Sequence, residues 1–422
     1  MIFSDDEGCA LQLDREDVFG RFRERFHIPP HTDGRPLIYF VGNSLGLMPK
    51  ATRGLIAQEL DDWAGLGVDA HLNGATPWYS YHETVRESAA RLVGAQPNEV
   101  VCMNSLTVNL HLMMATFYRP TKARAKILME EPAFPSDTYA VKSQIAHHGF
   151  APNESLVLAR PRQGEFTVRP EDIEALLEKQ GDEIALVLFA GVNFFTGQLF
   201  DIEKITATAQ KRGCVVGIDL AHAAGNVPLA LHDWKVDFAV WCSYKYLNAG
   251  PGAVAGAFVH ERHATNRDLP RFAGWWGNDP ATRFRMQLEP EFVPVPSADS
   301  WAVSNPPIFS MAPLRASLAI FDEAGGMEAV RAKSLKLTGY LEFLLKQAPS
   351  ESFTVITPPR PNERGSQLSI LVHEQPKELF AKLEAAGVKC DFREPNVIRA
   401  APTALYNTFH EVWRFAELLT AR

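Results

Sequence analysis

The stretch CVVGIDLAHAAGNVPLALHDWKVDFAVWCSYKYLNAGPG, residues 214–252, contains two apolar runs of strand length, and each ends on a charged side chain. The first stops at Asp219 and the second runs out at Lys245, 26 positions later. Desolvating a carboxylate or an ammonium is expensive, so a charge closing a buried strand needs a partner. The runs are continuous and not alternating, as in strands covered on both faces.

Similar runs lie on either side: EVVCMN (99–104), AKILMEE (125–131), EIALVLFAGV (183–192) and GAVAGAFVH (252–260). Helical patterns such as IEKITATAQKRG (202–213) separate several of them. That alternation predicts an α/β fold with a large, mainly parallel sheet and helices on both faces. Before it, residues 11–30 read as a short polar helix ending at HIPPH. Residues 36–50 read as a strand broken by glycines, and 51–66 and 80–95 as helices. After it come a long helical region over 311–347, strands near 352–357 and 367–372, and a final amphipathic helix. The expected division is an N-terminal segment 1–65 belonging to a small α/β domain, a large domain 66–315, and the rest of the small domain, 316–422.

The 422 residues are 46% hydrophobic and 22% charged, ordinary for a globular protein. A net charge of −8 argues against an electrostatic grip on nucleic acid or anionic membrane. Cys9, Cys102, Cys214, Cys242 and Cys390 are scattered without C-x-x-C spacing, which reads as free thiols. The first residues are acidic where a signal peptide is basic, and no stretch reaches membrane-span length. A cytoplasmic location is expected. His147/His148 and His260/His263 read as solvated pairs, and no metal is expected.

Ligands of open α/β sheets bind beyond the carboxyl ends of the strands. Asp219 and Lys245 there could be a structural ion pair. They could also flank a pyridoxal 5′-phosphate, with Lys245 condensed on the aldehyde and Asp219 holding the ring nitrogen protonated. MNSLTVNLHLMMATF (103–117) offers a helix start at Ser105–Thr107 for a phosphate, or a plain N-cap. EEPAFPSDTYA (130–140) offers Phe134, in a Pro-flanked loop, as a plate for the ring, with Asp137 beside it. The order helix start, aromatic loop, Asp, Lys favours the cofactor site, in the arrangement of fold-type-I pyridoxal phosphate enzymes.

From about residue 36 onward the chain resembles the kynureninase family. The motifs are YFVGNSLGL (39–47), FPSD (134–137), GVNFFTGQ (191–198), the 219–252 block, GWWG (274–277), SNPP (304–307) and IRAAP (398–402) with LYNTFHEVWRF (405–415). The resemblance implies hydrolytic Cβ–Cγ cleavage of kynurenine or 3-hydroxykynurenine, within tryptophan catabolism or NAD biosynthesis. It implies Lys245 as the imine lysine, Asp219 on the pyridinium nitrogen and Phe134 on the ring. Leu106, Thr107, Pro135, Ser136, Asp137, His222 and Tyr244 are then cofactor contacts. Trp275 and Asn305 reach the cofactor from a neighbouring subunit, which implies a homodimer with shared sites. Arg399 takes the substrate carboxylate, and His71, Ser304 and Asn305 meet its aromatic ring. His71 and Asn305 suggest a preference for the 3-hydroxy substrate, since a site that bonds a hydroxyl rejects analogues lacking it. Tyr244 is the candidate proton carrier. One position departs: Ala190 stands where the family usually has a hydroxyl residue on the cofactor, which weakens cofactor retention.

Two competing readings are a class V aminotransferase or cysteine desulfurase, and a non-catalytic protein of this fold. A desulfurase needs a mobile cysteine, which neither Cys242 nor Cys390 resembles. A binding module has no need of Lys245.

Overall fold

The computed structural model describes residues 3–347 and 352–420. The first strand is β1 (Ile38–Tyr39). Seven more follow: β2 (Val100–Cys102), β3 (Lys126–Glu130), β4 (Leu156–Ala159), β5 (Ile184–Ala190), β6 (Val215–Asp219), β7 (Phe238–Trp241) and β8 (Gly256–Val259). The last five are β9 (Phe353–Val355), β10 (Leu368–Val372), β11 (Val388–Lys389), β12 (Asp391–Arg393) and β13 (Val397–Ala400).

The large sheet has the order β2-β8-β7-β6-β5-β3-β4. Every neighbouring pair is parallel except the two that involve β8. Reversing that one strand leaves β2, β3, β5, β6 and β7 all ending on the same edge. Burial on both faces is visible residue by residue. Val187, Phe189, Ala239 and Trp241 enter one apolar core, while their neighbours Leu186, Leu188, Phe238 and Val240 enter the other. Period-two alternation thus persists in a run with no polar face. Two glycines let the strands carry large rings. A Cβ on Gly217 would sit 2.1 Å from the Phe238 ring, and one on Gly256 equally close to Trp241.

The smaller sheet, β12-β13-β10-β9, is antiparallel. The first 65 residues divide between the two parts of the fold. Ala10, Leu13, Ile38 and Phe40 join the core of the smaller sheet, and β1 pairs in parallel with β11. Phe19, Phe22, Phe26 and Leu47 join a core of the large sheet.

Three expectations change. The N-terminal helix is Glu7–Arg15, started by Asp6 accepting from Cys9 N at 3.0 Å, and a separate 3-10 helix spans Gly20–Arg25. The region 311–347 is two helices, Ile308–Glu323 and Gly326–Lys346, parted by Gly325 and Gly326 at φ 90° and 81°. His260 and His263 are not a solvated pair. His263 Nε2 bonds Asp237 Oδ1 at 2.7 Å, and His260, 7% exposed, stacks on the His232 ring beside buried Glu99. Glu99, His232 and His260 cluster closely enough to suggest metal ligands. Both Glu99 oxygens are engaged already: Oε2 accepts Gln96 N (2.9 Å), and Oε1 accepts Glu261 N (2.8 Å) and bonds His232 Nδ1 (2.9 Å). The cluster is a hydrogen-bonded junction between loops. His147 is exposed, as expected.

Candidate active site

Five chain segments leave the common strand edge and meet around one cavity, lined in part by Leu106, Thr107, Phe134, Asp219, His222 and Lys245. β2 leads to the helix Leu106–Phe117, whose N-cap, Ser105, makes no side-chain cap bond. Its first N–H groups are therefore left for a ligand. Thr107 Oγ1 lies 3.2 Å from Ser136 Oγ, which adds two hydroxyls to the same corner. β3 leads through a short loop to Phe134, as expected, and Phe134 is also the N-cap of the helix Pro135–His147, with Pro135 at the first position. This places Ser136 and Asp137 in the first helical turn. The Phe134 ring, 40% exposed, stands edge-on to Phe194 with centroids 5.3 Å apart, and Lys245 Nζ is 5.7 Å from its centre.

β6 ends at Asp219, whose Oδ1 accepts Ala221 N at 2.7 Å. His222 follows, with Nε2 3.1 Å from Lys245 Nζ. Burial holds the imidazole pKa well below the ordinary value, and the charges of Lys245 and Arg399 add to the effect. Burial likewise lifts the Asp137 carboxyl well above the usual range, and neighbouring Asp219 reinforces it. The Tyr244 phenol is also pushed up by burial. Asp137 Oδ1 and His222 Nδ1 are buried without a hydrogen-bond partner. Such orphaned atoms are costly unless a ligand completes them.

These residues fit pyridoxal phosphate. An amine and a carboxylate stand on separate strand ends, an aromatic plate lies over the lysine, and a helix start with two hydroxyls offers an anion cradle. Ala190 lines the cavity without a polar side-chain atom.

Arg399 is fully buried on β13. Its guanidinium bonds Asp391 and the Phe194 carbonyl, leaving Nε without a partner. Burial lowers its pKa, and Asp391 opposes that shift. The structure does not bring His71, Trp275, Ser304 or Asn305 into the Lys245 cavity of the same chain. His71 is exposed, 5.2 Å from the Trp78 ring with Nδ1 bonded to Val68 O at 3.0 Å. Ser304 and Asn305 are exposed and bond each other at 3.2 Å. Trp275 packs edge-on against Trp276.

Gly250 and Gly252 close the stretch that carries Lys245. Both take positive φ, 82° and 72°, with open space where a Cβ would sit. They serve the turn conformation. The close approach is made by Gly46, whose N–H bonds Tyr244 O at 2.8 Å. Glu130, Phe194 and Asp391 are site residues that sequence reasoning passes over. Glu130 alone carries a usable signal, a charge closing an apolar run.

Comparison with known proteins adds three findings. Residues 330–419 match the family model of the kynureninase C-terminal domain, and 56–234 that of aminotransferase class I and II. The chain is 57% identical over 419 residues to a kynureninase of Myxococcus xanthus, covering 99% of this chain and 97% of the relative. A kynureninase of Koribacter versatilis is 54% identical over 419 residues, covering 99% and 98%. Among solved structures, a C-DES mutant with glycine covalently linked to the PLP cofactor superposes with a TM-score of 0.76 at 17% identity, covering 91% of this chain and 96% of that one. The Escherichia coli cysteine desulfurase CsdA gives 0.74 at 17%, covering 95% and 97%. At that identity the likeness establishes the fold alone, the fold-type-I arrangement.

Proposed function

This chain belongs to the kynureninase family, and from that membership we propose that it hydrolyses the Cβ–Cγ bond of 3-hydroxykynurenine in preference to kynurenine. The products are 3-hydroxyanthranilate (or anthranilate) and alanine. The observation that carries the reading is the convergence of Lys245, Asp219, Phe134 and Thr107 on one cavity at the carboxyl edge of the sheet.

Bound pyridoxal phosphate supplies the electron sink for charge developing at the substrate's Cα. Asp219 would hold the ring nitrogen, Phe134 would cover the ring, and Thr107, Ser136 and the adjacent helix start would hold the phosphate. Lys245, placed by His222, moves the Cα proton. Arg399 binds the substrate carboxylate through its planar fork. Tyr244, kept protonated by burial, delivers a proton to the γ-carbonyl oxygen as water adds and takes it back on collapse.

Trp275, Ser304, Asn305 and His71 act in the second site of a homodimer in this reading. Exposed apolar side chains support it: Trp63 and Phe309 touch with centroids 6.0 Å apart at 59% and 40% exposure, and Leu66, Val68 and Leu72, also exposed, share the segment 63–72 with Trp63 and His71. A desulfurase is disfavoured because Cys242 and Cys390 are buried and burial raises both thiols, Cys390 to about 12. A cytoplasmic location rests on five free cysteines.

The test is incubation of the cofactor-loaded protein with each substrate, with assay for the aromatic amine and alanine. Absence of both products ends the proposal. Equal kcat/KM for the two substrates ends the preference.

A further inference from the structure

Glu130 is a buried acid that no step above uses. It closes β3 at 2% exposure, and β3 lies beside β5, which lies beside β6. Ala190 closes β5 in register with Asp219, which closes β6. Glu130 Oε2 accepts the Ala190 N–H at 3.2 Å, and the next N–H, that of Gly191, goes to the Asp219 carbonyl at 2.7 Å. The Glu130 side chain therefore ties the end of β3 to the end of β5, and the backbone bond of Gly191 ties β5 in turn to the strand end that carries Asp219.

We propose that Glu130 is a positioning residue for the cofactor: it clamps the end of β5 beside Asp219, and its charge state sets how tightly Asp219 holds the ring nitrogen and its proton. This rests on the pyridoxal phosphate reading of the site.

The ionisable groups that act on it or feel its charge are Asp219 on β6 and Asp137 on the helix Pro135–His147; His222, Tyr244 and Lys245 line the cavity with those two carboxylates. Lys245 acts on Asp137, and His222 is held neutral by burial. Glu131, next in the chain, pairs instead with Arg160 at 2.5 Å. No cation among the described residues forms an ion pair with Glu130. Burial, with the Asp219 charge adding to it, raises the Glu130 carboxyl to about 8, so it keeps its proton at neutral pH. A positive ring nitrogen beside Asp219 favours the ionised form of Glu130. Cofactor binding then lowers the Glu130 pKa, and affinity rises as pH climbs toward 8.

The test is the affinity of the full chain for pyridoxal 5′-phosphate, followed by fluorescence from about pH 6 to about pH 9, in wild type and Glu130→Gln. Glutamine can accept the Ala190 N–H but bears no charge. The two proteins should bind comparably at the acid end, with the wild type about three- to tenfold tighter at the alkaline end. The lysine chemistry contributes equally to both curves, so parallel curves overturn the proposal. A second variant, Glu130→Asp, keeps the charge and shortens the reach. It should lose affinity throughout while retaining the rise with pH; wild-type affinity with no rise overturns the proposal independently of the glutamine variant. A wild-type protein that binds no cofactor at all would overturn the reading of the site itself, and this inference with it.

Discussion

Lys245 Nζ lies 3.1 Å from His222 Nε2, and both side chains are buried. Because burial and the neighbouring cations keep His222 neutral, its ring accepts from the lysine and adds no second charge. The pair explains how a lysine can lie buried in the turn beyond β7 in the free protein: it has an acceptor before it has an aldehyde.

Replacing that acceptor tests the pairing. In His222→Phe, Lys245 keeps its burial and loses its hydrogen bond, so kcat/KM should fall about 10- to 100-fold. Stability gives a second readout. His222 has its folded pKa depressed, so the unfolded chain gains a proton that the folded one refuses, and stability drops as pH falls below about 6.5. The phenylalanine variant should lose part of that acid limb in thermal melts. An unchanged limb would mean that His222 titrates freely in the fold.

The turn bearing the lysine is held from outside by Gly46. A Cβ there would sit 2.3 Å from the Lys245 carbonyl oxygen and from Asn248 Oδ1. Gly46→Ala should therefore displace the turn, with loss of both melting temperature and bound-cofactor absorbance. Gly250→Ala meets open space and only the strain of φ 82°, at a cost of about 1 kcal/mol with absorbance retained. Equal behaviour of the two variants would refute the clamp.

The strand-end residues were legible because each breaks a local rule. A charge closing an apolar run marks Asp219 and Lys245, and the same signal marks Glu130, where a second carboxylate, Glu131, follows at once. What escapes the sequence is whatever arrives by long-range pairing. Asp391 reaches Arg399 because β12 pairs antiparallel with β13 in register. His260 is buried by Glu99 through the pairing of β8 with β2. His71 and Asn305 are reached only through the family resemblance, since an exposed His or Asn looks like any surface polar group.

Arg399, the proposed partner of the substrate carboxylate, is paired with Asp391 in the free protein. Asp391→Asn should move stability and binding in opposite directions. Removing the carboxylate leaves a buried guanidinium uncompensated, costing about 3 kcal/mol or more in the free protein. The substrate carboxylate then meets a cation with no competitor, so KM should fall while the melting temperature falls too. Arg399→Lys should raise KM, because an ammonium lacks the bidentate fork. A KM that rises in Asp391→Asn would show that the aspartate orients the arginine and does not compete for it.

The most exacting prediction concerns Tyr244. Burial is the main cause that lifts its phenol, with Cys242 and Asp219 adding to it, so it keeps its proton throughout the neutral range and can only begin as an acid. A base at this position would need the opposite shift. Tyr244→Phe preserves the ring beside Lys245, whose Nζ lies 5.8 Å from the ring centre, and removes only the transferable proton. Cofactor absorbance and substrate binding should persist, while single-turnover cleavage slows by about 100-fold or more, the usual scale of a lost general acid. Because the phenol does not ionise near neutrality, the wild-type rate should show no alkaline limb belonging to it. Cleavage at the wild-type rate in Tyr244→Phe would move the proton to another group, and Lys245 would be the first to consider, since it shares the cavity and is the proposed carrier of the proton on Cα.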